Sequence, residues 1–90
     1  MKINAAHILV NTLVEAQSVQ RQLAEGVDFA QLAAAYSICP SGKQYGGNLG
    51  FFGKGQMVTA FEDAAYATLV GQVSEPVQTQ FGFHLIRRLY

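Results

Sequence analysis

Three side chains in this 90-residue chain have the chemistry of catalysts: His7, Cys39 and His84. A lone thiol invites a nucleophile reading, in which a histidine takes its proton and a third group orients the base. Either histidine suits the base, yet no local hydrolase signature surrounds Cys39, and a small buried thiol is an equally ordinary role for the residue type. Two histidines and a cysteine also approach a metal set, but no short paired spacing supports one, so no metal is expected. Gly46-Gly47-Asn48-Leu49-Gly50 looks superficially like a phosphate loop. Its spacing is neither GxGxxG nor GxxxxGK[ST], and that reading is set aside. Leu49, Met57, Phe61 and Phe83 read as ordinary core, or as an apolar cup for a small ring.

Bulk composition narrows the field. Half the residues are hydrophobic, 13% are charged and the formal net charge is zero. A globular single domain spanning 1–90 follows. A balanced charge argues against nucleic acid or an anionic membrane as partner. One cysteine excludes an internal disulfide framework. No apolar run approaches the ~18 residues of a membrane span, and the N-terminal stretch lacks the form of a signal peptide. A cytoplasmic monomer is the expectation.

The elements that must position these residues follow from periodicity. Residues 2–10 read as a strand apolar on both faces, hence central, with His7 as its polar exception. Helices are expected at 13–25, with Leu13, Ala16, Val19 and Leu23 inward and Gly26 at its end, and at 29–37, capped by Asp28, with Phe29, Leu32, Ala33 and Tyr36 inward. A short strand at 49–52 follows in the glycine-rich stretch Tyr36–Phe61, which holds six of the nine glycines. Thr59 and Glu62 predict a capping box for a helix at 60–68. Strands at 77–80 and 83–89 flank a turn at Phe81-Gly82. The order β-α-α-β-α-β-β indicates an α+β domain with a mostly antiparallel sheet. If the first and last strands pair, His7 and His84 come near one another.

These segments carry a resemblance. HILV at 7–10, DFAQLAAAYSICPSGK at 28–43, GGNLGFFGKGQMVTAFEDAAY at 46–66 and EPVQTQFGFHLI at 75–86 together resemble the parvulins, a family of peptidyl-prolyl cis/trans isomerases, and among them the small stand-alone bacterial members. The resemblance implies a four-stranded antiparallel sheet wrapped by three to four helices, and isomerisation of X–Pro bonds in proline-containing peptides and unfolded chains, without cofactor. It implies that His7 and His84 form a pair beneath the active site and that Thr79 hydrogen-bonds to them. Cys39 would flank the twisting bond as a polar neighbour, not a nucleophile. Leu49, Met57 and Phe61 would receive the proline ring, with Phe83 near the rim. The chain departs from the family pattern at Asn48, where Asp is usual, and in the longer Gln44-Tyr45 connection. Asn11-Thr12-Leu13-Val14 stands where phospho-specific members carry basic residues, so no preference for phosphorylated substrates is expected. The competing functions are a module that binds extended chains without turnover and, more distantly, a thiol hydrolase.

Overall fold

A computed structural model describes residues 2–39 and 45–90. Its elements are β1 (Ile3–Val10), α1 (Leu13–Ala24), α2 (Phe29–Tyr36), β2 (Asn48–Phe52), α3 (Thr59–Ala67), β3 (Val77–Thr79) and β4 (Gly82–Arg88). The strands form one antiparallel sheet in the order β2-β1-β4-β3. The first and last long strands are therefore the two central ones, and both faces of β1 are covered. Ala6, Ile8 and Val10 pack with Leu85 of β4 under α1 and α2, against Ala16, Val19, Phe29, Leu32 and Ala33. Ile3, Ala5 and Ile86 face the other way, against Phe52, Phe61 and Ala65. Truncating one such fully buried aliphatic to Ala typically costs about 2–5 kcal/mol.

Local signals explain most helix ends. Asp28 caps α2, its Oδ2 accepting from the Gln31 N–H at 3.1 Å. Gly26, with φ +96°, follows the C-terminal cap of α1 at Glu25. The expected capping box of α3 does not form. Thr59 is already inside the helix, Val58 occupies the cap without a side-chain bond, and Glu62 Oε1 accepts instead from the Gly55 N–H. That bond ties the preceding turn to the helix. Leu13 and Tyr36, expected to point inward, are half exposed, because each sits at the end of its helix where it overhangs the sheet.

The glycine-rich stretch does two specific things. Between the pairs Asn4–Phe51 and Ala6–Asn48, β1 advances by two residues and β2 by three. The extra residue is a bulge, and Gly50 in it has φ +74°. Side chains alternate along a strand, so one extra residue reverses which face the following positions occupy. The bulge turns Leu49 onto the same face as Phe52, against the Ile3–Phe61 cluster. Asn48 falls on the opposite face beside Ala6. Further back, Gly47 lies flat against β1: its carbonyl accepts from the His7 N–H at 2.9 Å, and a Cβ there would stand 2.3 Å from the His7 carbonyl oxygen.

Candidate active site

Alternation along β1 and β4 places the histidines. His7 pairs with Ile86 and Leu9 with His84, so the two imidazoles are diagonal neighbours on one sheet face. Both are buried, at 5% and 4% exposure, and their Nδ1 atoms are 3.0 Å apart. One Nδ1 must carry a proton and the other must accept it, so the pair is bonded in its neutral form and two protonated rings cannot both be satisfied. Burial pushes His7 down to about 4, with His84 as a further cause, and burial alone takes His84 to about 4. Thr79 Oγ1 lies 2.7 Å from His84 Nε2 and accepts from the Phe81 N–H at 3.2 Å. The Phe61 ring meets both imidazoles edge to face, at 5.6 Å and 5.1 Å between centroids. His7 Nε2 is buried and makes no hydrogen bond among the described residues.

Above this pair opens a cavity of about 450 Å3. Its walls are almost wholly apolar. Leu49 arrives by the β2 bulge, Met57 and Val58 from the turn before α3, Phe61 from the first turns of α3, Leu9 from β1 and Phe81 from the β3–β4 turn. His7 and His84 reach it from below, and Cys39, Gln56 and Phe81 complete its margin. No Lys or Arg lines it among the described residues.

The structure thus brings His7, Cys39, Leu49, Met57, Phe61 and His84 into one place, with Thr79 attached through His84. Phe83 is the exception. It packs against the α1–α2 side of the sheet with the Leu85 cluster, because it alternates with His84 and so cannot share the cavity face. The rim aromatic is Phe81. It escapes the alternation by lying in the turn, where it is 56% exposed. Its proximity to Thr79 in sequence was the available signal. Gln44 lies outside the described residues, as do Pro40 to Lys43. Asn48 lies within them: its Oδ1 accepts from the Gly50 N–H at 2.6 Å and so braces the bulge. An aspartate offers the same oxygen. Asn48→Asp is therefore expected to keep both stability and turnover, while Asn48→Ala loses about 1 kcal/mol in urea unfolding.

Among the described residues no group of three or more His, Cys, Asp or Glu is placed to hold a metal ion. No helix there is long and apolar enough to cross a membrane. All four nitrogens of the histidine pair are internal to the fold, two bonded to each other and one to Thr79, while the fourth is buried and unbonded.

An apolar cup over a neutral, mutually bonded histidine pair, with no Lys or Arg among its described lining, fits a reaction in which no covalent bond breaks, and that is the class of the rotamases. Residues 7–89 match the family described as Rotamase, the PPIC-type PPIase domain, and the chain belongs to that family. Similar proteins include the foldase protein PrsA of a Geobacillus species, 51% identical over 86 residues that make up 96% of this chain and 31% of that protein. The structure of PrsA from Bacillus subtilis superposes with a TM-score of 0.95 at 42% identity, covering 99% of this chain and 35% of that one. NmPin, the parvulin of Nitrosopumilus maritimus, gives a TM-score of 0.88 at 45% identity, covering 99% of this chain and 96% of that one. The chain spans about a third of the foldases it matches and nearly the whole of NmPin.

Proposed function

We propose that this domain catalyses cis/trans rotation about X–Pro bonds in flexible or unfolded chains, with no preference for a phosphorylated residue before proline. The observation that carries this reading is the apolar cavity closed below by a neutral, mutually bonded histidine pair. Rotation faces a barrier of ~18–20 kcal/mol because amide resonance is lost. Uncatalysed X–Pro exchange takes tens to hundreds of seconds. Raising it to ~10³ s⁻¹ removes about 7 kcal/mol from the barrier. Only interactions stronger with the twisted bond than with either planar isomer contribute. The planar amide is the more polar form. An apolar cavity therefore raises the planar states relative to the twisted one. Leu49, Met57 and Phe61 hold the ring while the carbonyl side turns past Cys39. Phe81 at the margin gives an apolar residue before proline a surface to pack on. Among the described residues the cavity presents a phosphate with no Lys or Arg partner.

The cavity lining that is described comes from several elements of one chain, and we read the domain as acting as a monomer. Exchange spectroscopy on X–Pro peptides with varied X tests the whole reading. Acceleration strongest for apolar X supports it. Binding without acceleration selects a holding module instead. Met57→Ala is expected to lower kcat/KM by roughly 10–100-fold, because the ring loses one side of its cup. Cys39→Ala is expected to stay within about tenfold of the parent. Near-complete loss, or a trapped acyl adduct on Cys39, would restore the nucleophile reading.

A further inference from the structure

Cys39 stands at the cavity wall, three residues past the last residue of α2. One tie that holds it there comes from Ser37. At Ser37 the backbone turns extended, φ −68° and ψ 134°, after its N–H has closed the last turn of α2 on Ala33. The residue is 1% exposed, and its hydroxyl oxygen accepts two backbone N–H groups. One is Leu9 of β1, at 3.1 Å. The other is Cys39, at 3.3 Å. The Ile38 N–H then donates to the Leu9 carbonyl at 2.8 Å. Both backbone groups of Leu9 are thus engaged by Ser37-Ile38, on the edge of β1 where β2 no longer reaches. The neighbouring bond on that edge is the one from His7 to Gly47.

We infer that Ser37 is a positioning residue for the isomerisation: its hydroxyl oxygen sets where Cys39 stands relative to His7 by bonding the strand that carries one and the amide of the other. This rests on the isomerase reading above. A single oxygen joins β1, two residues from His7, to the backbone of Cys39, and both side chains line the same cavity. Removing that oxygen, as Ser37→Ala does, takes this acceptor from two amide donors and loosens the segment. Displacement of a catalytic-site wall by about 1 Å is enough to slow turnover strongly without weakening substrate binding. The ring cup of Leu49, Met57 and Phe61 is built from other elements and stays in place.

The test is a double-mutant cycle on turnover. Ser37→Ala is expected to lower kcat by as much as Cys39→Ala does and no more, up to about tenfold, with KM unchanged. Ser37→Thr, which keeps the oxygen, is expected to restore most of it. In a Cys39→Ala background, Ser37→Ala is expected to add little, because the residue it positions is already gone. Losses that multiply in the double variant, an unchanged kcat in Ser37→Ala, or a loss carried by KM alone would each overturn the inference. If Ser37→Ala does not fold, Ser37→Cys, a weaker acceptor of similar shape, takes its place in the cycle with the same expected pattern. Amide exchange gives a readout independent of isomerase activity. Leu9 and Cys39 should exchange faster in the variant while the β1–β4 amides keep their protection. Should the parent show no turnover, the isomerase reading fails, and unchanged protection of Leu9 and Cys39 would then separately reject the role of Ser37.

Discussion

Lowering the pH from about 7.5 to about 4.5 is expected to strip several kcal/mol from the folding stability, with most of the change below about 6.5. Unfolded, each histidine takes up a proton near its ordinary value of about 6.5. Folded, both are held down to about 4, chiefly by burial. Between those values the unfolded chain binds more protons than the folded one, so stability rises with pH across the window. Its contribution is fully present above about 6.5 and is lost as pH falls toward about 4. Each displaced pKa corresponds to about 3 kcal/mol at most. The rings share a hydrogen bond and titrate as a pair, so the total lies between one and two such contributions. With a urea m-value of about 1–3 kcal/mol/M, this moves the urea midpoint by about 1 M or more. Urea unfolding at stepped pH, with imidazole resonances followed by NMR, checks it. A flat midpoint from pH 6.5 to 4.5, or rings titrating near 6.5 in the folded protein, would contradict the buried neutral pair.

The second large effect is expected from Gly47→Ala. The new Cβ would meet the His7 carbonyl oxygen at 2.3 Å and the His7 carbonyl carbon at 3.2 Å. Both are backbone atoms of a central strand and cannot swing aside. The residue also has φ +82°, a conformation that costs an L side chain about 1–2 kcal/mol. Relief requires Gly47 to leave β1, which breaks the His7 N–H bond and frees the approach to β2. A loss of about 3 kcal/mol or more is expected, lowering Tm by more than about 10 °C. Turnover should fall with it, because Leu49 depends on the same approach. Gly50→Ala is the matched control. Its φ is also positive, +74°, but nothing lies within 4 Å of the added Cβ. It should cost about 1 kcal/mol and leave turnover nearly intact. Equal losses from the two substitutions would show that conformational strain, and not contact with β1, is what Gly47 avoids.

What was legible in the sequence followed from local rules. The two-faced apolar pattern of residues 2–10 predicts a central strand, and β1 is central. Asp28 and Gly26 mark helix ends because their signals act within a few residues. The approach of His7 to His84 needed only that the first and last strands pair. The cup of Leu49, Met57 and Phe61 was different. Periodicity places these residues on three separate segments, and only family resemblance joined them. Phe83 was misplaced because that likeness was set above a two-residue alternation that already assigned it to the far face. Thr59 was misread as a cap because a capping box is defined by residue types, and Val58 took the position through backbone geometry alone. Ser37 carried no visible signal: a serine after a helix is common, and its two acceptor bonds depend on a strand nearly thirty positions away.

The bulge in β2 bears on which changes this domain tolerates over evolution. Leu49 reaches the cavity only because β2 holds one residue more than its partner across that step. Deleting a residue between Leu49 and Phe52 would restore plain alternation and turn the aliphatic wall out to solvent, with every remaining side chain chemically unchanged. In this strand the number of residues matters to the pocket as much as their identity, and a relative lacking one residue here is expected to lack this wall.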